Sequence, residues 1–135
     1  MGIIEAGIEG ERLALDVLMK AGFKCFQPDW IVFKNGRYFI VEVKNQEAFE
    51  PPPFKGHGLP IWQVESRKNF LTITGIDTIL LVKDSHGWMY QFLSVLEDDN
   101  FFDTIKSKRR IYPIDNFIAL DVDDYGNIAL EALKQ

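Results

Sequence analysis

The sequence predicts an α/β domain in which a mixed β-sheet contains a central β-hairpin and is flanked by helices. Three observations carry this prediction: apolar residues at helical spacing near the start of the chain, two apolar runs joined by Asn35-Gly36, and a second helical stretch followed by another apolar run. The 135 residues are 47% hydrophobic and 13% aromatic, which is enough for one hydrophobic core. We therefore expect a single domain over residues 1–135, with its core at about 3–93 and a C-terminal elaboration at about 94–135.

The first predicted element is a helix over about residues 3–21. Its apolar pattern ends at Gly22, a residue suited to the left-handed conformation that terminates helices. Glu11 lies on the apolar stripe, so a carboxylate stands where an apolar residue is expected. The alternative is that Glu11 lies at the edge of the stripe with its head in water. The stripe consists of Ile4, Ile8, Leu15 and Leu18.

The second predicted element is a β-hairpin formed by Trp30–Lys34 and Arg37–Lys44. The intervening Asn35-Gly36 is a strong hairpin signal, because both central residues of a type I′ turn need a positive φ. The second strand is apolar on both sides, which is typical of a strand covered on both faces of a sheet.

Three charged residues meet at the open end of this hairpin. Counting outward from a two-residue turn, Asp29 falls directly opposite Glu42, and alternation puts Lys44 on the same side as Glu42. Two like charges about 5 Å apart across a sheet destabilise it unless something compensates. A hard cation such as Mg²⁺ or Mn²⁺ would do so. The alternative is an ordinary salt bridge in which Lys44 neutralises a carboxylate at a solvated strand end.

The rest of the chain alternates between turn signals and short apolar runs. The segment 47–60 holds four of the six prolines, which predicts a surface loop. Pro60 can then open a helix that ends at Gly75. The residues expected to face inward from this helix are Ile61, Val64 and Leu71. The further predicted elements are strands at Ile79–Val82 and Trp88–Phe92, a last strand within Ile111–Leu120 and a closing helix at Ile128–Leu133.

Composition and charge exclude some classes of function. No apolar run approaches the roughly 18 residues of a membrane span, and the first residues lack the pattern of a secretory signal, so we expect a cytoplasmic protein. Cys25 has no second thiol to pair with and is expected in the core. The net charge of -5 opposes DNA binding. Basic residues nevertheless cluster at Arg67-Lys68 and Lys106–Arg110, either as a basic face or as solvated surface.

Several short motifs follow one another along the chain: Gly7-x-x-x-Glu11, Gly22-Phe23, Pro28-Asp29, Glu42-Val43-Lys44 and Gln63. This ordered set, over about residues 5–82, resembles the PD-(D/E)XK nuclease superfamily, and within it the archaeal-type Holliday junction resolvase branch. The resemblance implies a restriction-endonuclease-like core and a Mg²⁺-dependent DNA endonuclease that hydrolyses phosphodiester bonds in Holliday junctions or other branched DNA. It also implies a homodimer that acts in the cytoplasm of a prokaryotic cell or a phage-infected host.

The resemblance assigns roles to individual residues. Asp29 and Glu42 match the metal-binding carboxylates, and the backbone carbonyl of Val43 is expected to face the metal. Glu11 matches a helix carboxylate that reaches the metal, often through water. Lys44 matches the lysine that positions or helps to activate the attacking water. Mg²⁺ is the implied cofactor, and Mn²⁺ is expected to substitute for it.

Neighbouring residues are candidates for contact with the substrate. Gln63 matches a glutamine that lies near the metal or the phosphate in part of the superfamily. Arg67, one helical turn further, is expected either to hold the DNA backbone with Lys68 or to be a plain surface arginine. Lys55 lies in the loop that borders the site. This loop either contacts DNA, with Lys55 as the contact, or is a rigid connector. His57, in the same loop, is expected at the surface.

Two other classes of function stay open. A catalytically inactive nuclease-fold module, used for DNA binding or assembly, would have an incomplete site. A structural protein with a chance motif would carry Asp29, Glu42, Lys44 and Glu11 as surface charges. The burial of these side chains therefore separates the last class from the first two.

Overall fold

The computed structural model of the protein describes residues 3–120, with side chains described from residue 9 onward. No helix in this part of the chain combines the length and the apolar character needed to cross a membrane. The elements in chain order are α1 (Ile3–Lys20), β1 (Trp30–Lys34), β2 (Arg37–Asn45), β3 (Gly56–Pro60), α2 (Ile61–Thr74), β4 (Thr78–Asp84), β5 (Gly87–Phe92), α3 (Leu93–Glu97), β6 (Phe102–Asp103), β7 (Arg109–Pro113), a 3₁₀ turn (Ile114–Asn116) and β8 (Ile118–Leu120).

The strands form two sheets. Five of them form a mixed sheet in the order β1-β2-β4-β5-β8, and the other three form a second sheet in the order β3-β7-β6. β2 and β4 run parallel, and the remaining neighbours in the larger sheet are antiparallel. The crossover between the parallel pair contains α2, as parallel pairing requires a long connection. The predicted mixed sheet around a hairpin with flanking helices is confirmed.

The β1-β2 hairpin has the register expected from its turn. Lys34 pairs with Arg37, and the pairing continues to the start of β1. Asn35 and Gly36 have φ values of 53° and 78°, which are the positive values that a type I′ turn needs. The turn therefore fixes which residues of the two strands face each other at the open end.

β2 is a central strand covered on both faces, as predicted. It lies between β1 and β4, and residues 39–42 are buried. Glu42 pairs with Leu80 and Lys44 with Val82, so both charged residues project toward the larger of two hydrophobic clusters. The larger cluster contains Leu59, Val64, Leu80, Val82, Leu93, Leu96 and Tyr112. The cluster on the opposite face contains Phe39, Val41, Ile79, Leu81 and Tyr90.

The predicted surface loop over 47–60 is wrong at its end. Gly56–Pro60 is a strand that pairs with β7, and Ile61, the first residue of α2, donates its backbone N–H to the carbonyl of Lys108. A Cβ at Gly58 would collide with the carbonyl oxygen of Arg110, so the close approach of the two backbones requires glycine. The sequence analysis missed this strand because glycine and proline are both normally unfavourable in strands.

α2 ends at Gly75, which has a left-handed φ of 76°, as predicted. Pro60 is the N-cap of this helix rather than its first residue. The expected inward stripe is partly wrong, because two of the three buried residues are polar. The buried residues of α2 are Gln63, Val64 and Arg67, whereas Ile61 and Leu71 are only half-buried.

The chain after residue 93 contains more elements than the sequence indicates. The strand predicted within Ile111–Leu120 is two strands in different sheets, β7 and β8, with the 3₁₀ turn between them. α3 and β6 were not predicted, because five and two residues carry too little periodicity. The helix expected at Ile128–Leu133 lies outside the described residues.

The close approach at β3 can be tested by adding a single methyl group. We expect Gly58→Ala to lower the free energy of unfolding by about 2 kcal/mol or more, because the strands must separate to admit the Cβ. Gly10→Ala in α1 is the control, because apart from its chain neighbours and the backbone of its own helix no described atom lies within 4 Å of a Cβ there. In a helix interior, alanine is favoured over glycine by about 0.5–1 kcal/mol. Urea unfolding followed by circular dichroism measures both, and equal stability of the two variants would contradict the close approach.

Candidate active site

The hairpin brings Asp29 and Glu42 together at its open end. Asp29 immediately precedes β1, and its Oδ2 accepts a hydrogen bond of 2.9 Å from the backbone N–H of Val43. Val43 follows Glu42 in β2, so this bond holds the Asp29 carboxylate beside Glu42. Asp29 is exposed, whereas Glu42 is fully buried. The pair therefore has one carboxylate facing solvent and one inside the sheet.

Glu42 has two oxygens in different situations. Its Oε1 accepts a hydrogen bond of 2.5 Å from Nε of Arg67. Its Oε2 is buried and has no hydrogen-bond partner among the described residues. A carboxylate oxygen left in this state costs free energy unless a cation or a proton comes to it.

The surroundings of Glu42 change its protonation. Burial raises the pKa of Glu42 above its usual value. The hydrogen bond and charge of Arg67 act in the opposite direction, and the neighbouring carboxylate of Asp29 raises the pKa further. The net direction is upward, because burial and a like charge together outweigh the single guanidinium.

Arg67 lies inside the protein and is only 2% exposed. Each of its three guanidinium nitrogens donates a hydrogen bond: Nε to Glu42, Nη2 to the backbone carbonyl of Gln27 at 3.0 Å, and Nη1 to Oγ of Ser66 at 3.3 Å. The expected contact between Arg67 and the DNA backbone is therefore not available in this arrangement. The spacing of four residues between Gln63 and Arg67 correctly predicted that they share one helix face, but not that this face is buried.

Lys44 and Gln63 lie on the two elements, β2 and α2, that carry Glu42 and Arg67. Lys44 is half-buried on the same side of β2 as Glu42. Gln63 is 7% exposed and lies one turn before Arg67 on α2. The sequence-predicted residues of β2 and α2 thus converge on one region of the larger sheet.

Glu11 is placed less centrally. It is exposed on α1 and lines a groove between α1 and α2, together with Arg67 and Trp62. Within residues 3–120, no group of three or more His, Cys, Asp or Glu side chains is arranged to hold a metal. The donors that the structure does bring together are the carboxylates of Asp29 and Glu42, and oxygen donors of this kind fit a hard divalent cation.

The basic residues predicted to contact DNA differ in their surroundings. Lys68 forms an ion pair of 3.0 Å with Glu97. Lys55 is half-buried just before β3. In the basic run 106–110, Arg110 is largely buried in ion pairs with Asp103 and Glu97, so part of this run is internal structure.

His57 and Cys25 depart from their expected positions. His57 is fully buried rather than at the surface, with Nε2 at 3.0 Å from Oδ2 of Asp84 and Nδ1 at 3.2 Å from Oε1 of Gln46. This contact joins β3 to the ends of β2 and β4, which sequence alone could not reveal because the strand itself was hidden. Cys25 is half-buried and lines the groove between α1 and α2 rather than the core.

The five-stranded mixed sheet with its flanking helices has the restriction-endonuclease-like fold of a solved archaeal resolvase structure. No protein-family model and no curated protein matches the chain. Seven chains of solved structures do match. One is Hjc of Archaeoglobus fulgidus, a Holliday junction resolvase from an archaeal hyperthermophile, with 18% sequence identity, a TM-score of 0.51 and coverage of 96% of this chain and 97% of that one. The resemblance predicted from the sequence is thereby confirmed for the fold, and the similarity extends beyond residue 82.

The influence of Asp29 on Glu42 can be measured directly. We expect Asp29→Asn to lower the pKa of Glu42, because a neutral amide removes the like charge that raises it. Carbon-13 NMR titration of the Glu42 carboxyl group in metal-free protein would report the change. Glu11→Gln is the control and should leave the titration unchanged. A Glu42 titration that is the same in wild type and Asp29→Asn would contradict the close pairing of the two carboxylates.

Proposed function

We propose that this protein is a metal-dependent endodeoxyribonuclease that cuts branched DNA, with a Holliday junction as the favoured substrate. The observation that carries the proposal is Oε2 of Glu42, a buried oxygen that lacks a hydrogen-bond partner within residues 3–120 and lies beside the exposed carboxylate of Asp29. A cation held between them would relieve both the unpaired oxygen and the repulsion between the two carboxylates. The fold shared with Hjc supports DNA as the substrate.

Asp29, Glu42 and the backbone carbonyl of Val43 would hold the metal, with Glu11 contributing through water. Mg²⁺ suits two carboxylates because it keeps several waters of its own, and Mn²⁺ would substitute for it. When bound, the ion supplies Lewis-acid polarisation of the scissile phosphate and activates water for attack. The exposed side chain of Asp29 brings one of the two carboxylates into contact with solvent, the side from which a substrate would approach.

Lys44 supplies the positive charge from the protein itself. Its ammonium carries three donors on a flexible stem and lies on the same side of β2 as Glu42. It would donate to the attacking water or to a phosphate oxygen, and offset the negative charge that grows as the bond from phosphorus to the leaving oxygen breaks. Gln63, buried on the neighbouring helix, would donate its amide N–H groups to the phosphate or to water near the metal.

Substrate binding and assembly follow from the same proposal. Lys55 would contact the DNA backbone, and Lys68 would exchange its ion pair with Glu97 for a phosphate. Paired cuts in a four-way junction require two equivalent sites, which a symmetric homodimer supplies. We place this enzyme in the cytoplasm of a prokaryotic cell or a phage-infected host. Apolar side chains exposed on α1 and β1 are available for the dimer contact: Leu13, Val17, Met19, Trp30, Ile31 and Phe33.

A second candidate function is a catalytically inactive module that keeps the nuclease fold for DNA binding or assembly. The observation that favours it is the ion pair between Arg67 and Glu42, because the buried carboxylate already has one compensating charge without a metal. The two candidates differ in one measurable property, which is the cutting of DNA by the folded protein.

We expect wild-type protein to cut a labelled four-way junction in Mg²⁺ or Mn²⁺ and not in EDTA, with duplex, single-stranded and flap DNA as comparison substrates. Glu42→Gln and Lys44→Ala should each reduce the cleavage rate by about 10²-fold or more. The first removes a carboxylate that would hold the metal, and the second removes a positive charge that would offset the negative charge of the transition state. Lys34→Ala, at the far end of the hairpin, is the control and should cut at the wild-type rate. A folded wild type that cuts none of these substrates would favour the inactive module.

Metal binding has a readout that does not depend on cleavage. We expect Mn²⁺ at about 100 times its dissociation constant to raise the free energy of unfolding by about 2.7 kcal/mol, since only the folded chain holds the two carboxylates together. Glu42→Gln should lose most of this stabilisation, and Glu47→Gln, an exposed glutamate beyond the end of β2, should keep it. Stabilisation of equal size in wild type and Glu42→Gln would place the metal elsewhere.

A further inference from the structure

The geometry points to Arg67 as a positioning residue, which holds Glu42 through one oxygen so that the other stays open to the metal, and ties Glu42 to the segment that carries Asp29. This inference rests on the proposed nuclease function and assigns to Arg67 a part in the metal site rather than in DNA binding. It begins from a contact that the sequence did not indicate, the hydrogen bond from Nε of Arg67 to Oε1 of Glu42.

The contact between Arg67 and Glu42 uses a single oxygen. Arginine often binds a carboxylate with two parallel hydrogen bonds, which would occupy both oxygens. Here only Nε donates to Glu42, whereas Nη1 and Nη2 donate to Ser66 and Gln27. The terminal torsion of a glutamate is broad and roughly two-fold, so a carboxylate without such a contact could turn freely. The bond to Oε1 therefore selects one orientation and leaves Oε2 unpaired in the described part of the chain.

The same guanidinium reaches the segment that leads into the hairpin. Its Nη2 donates to the backbone carbonyl of Gln27 at 3.0 Å, two residues before Asp29. Asp29 is held on its other side by the backbone N–H of Val43 at 2.9 Å. Arg67 thus links α2, β2 and the segment before β1, and so restricts how the two carboxylates can move relative to each other.

Glu42 needs a positively charged side chain beside it even before a metal binds. Glu42 is fully buried and the exposed Asp29 lies beside it, so the two like charges repel each other and water screens only one of them. The guanidinium supplies a positive charge, and its planar fork contacts three groups at once. A lysine in the same place offers a point charge and cannot reproduce the three directions of the fork.

The contacts of Arg67 also argue against a role in holding DNA. A residue that binds phosphate needs donors that face solvent, but Arg67 is 2% exposed and all three of its nitrogens already donate within the protein. A positioning role and a DNA-binding role therefore make different predictions. If Arg67 has the positioning role, its substitution lowers the affinity for metal. If Arg67 has the DNA-binding role, its substitution lowers the affinity for DNA in the absence of metal.

The test compares Arg67→Lys and Arg67→Met with Arg37→Lys, an exposed arginine at the turn end of the hairpin, as the matched control. Mn²⁺ affinity is measured by electron paramagnetic resonance, and junction affinity by fluorescence anisotropy in EDTA. We expect both Arg67 variants to bind Mn²⁺ about 10-fold more weakly or worse, because outer contacts of this kind orient the ligands of a metal. Junction affinity in EDTA should stay at the wild-type value, and Arg37→Lys should match wild type in Mn²⁺ affinity.

The opposite results are distinguishable. Unchanged Mn²⁺ affinity in a folded Arg67 variant, or weaker junction binding in EDTA with unchanged Mn²⁺ affinity, would overturn the positioning role while leaving the nuclease proposal in place. A wild type that binds no Mn²⁺ would overturn both.

A measurement on wild-type protein avoids variants that fail to fold. In nitrogen-15 NMR spectra, the Nε–H signal of Arg67 should keep its hydrogen-bonded position while Mg²⁺ shifts the Glu42 carboxyl carbon, because the two contacts use different oxygens. Displacement of the Nε–H signal to that of a free arginine on Mg²⁺ addition would show that the metal takes both oxygens, and would overturn the inference.

Discussion

The buried charge of Glu42 is the constraint on which the site depends. β2 lies between β1 and β4 with packed clusters on both faces, so a carboxylate in its buried half is removed from water. Such a charge persists only when it is paired, and here the partner is Arg67 of α2. The crossover between β2 and β4 places that helix over the strand that carries Glu42. The topology of the sheet and the charge of one residue thus determine together where the helix must lie.

The fold alone does not define an activity, since one fold serves many functions. What supports the proposed metal site is the different surroundings of the two oxygens of Glu42, one paired and one not, next to a second carboxylate in contact with solvent. A fully satisfied ion pair would indicate a structural role. A pair with one oxygen left over, close to a lysine on the same strand face, indicates a site that is held ready for a ligand.

The sequence was sufficient for the hairpin, because Asn35-Gly36 fixes a register that can be counted outward to Asp29 and Glu42. It was not sufficient for β3, where Gly58 looked like a loop residue although its missing side chain is what permits strand pairing. Arg67 was interpreted as a surface or DNA-binding residue because a charged residue on a helix is usually solvated. Arg67 is buried because it pairs with Glu42, and this contact could not be predicted because the two residues are far apart in the sequence. Spacing along one element was readable, whereas contacts between distant elements were not.

The pairing of β3 with β7 has a consequence for the order in which the protein can be completed. Ile61 at the start of α2 is bound to Lys108, and β3 just before it is bound to β7. A ribosome releases the hairpin before it releases β7, and a domain generally folds as a unit. During synthesis, Glu42 is therefore made before α2, which carries its partner Arg67, can be anchored beside β7. The half of the chain that carries Asp29 and Glu42 is completed only when nearly all of the described chain has been made.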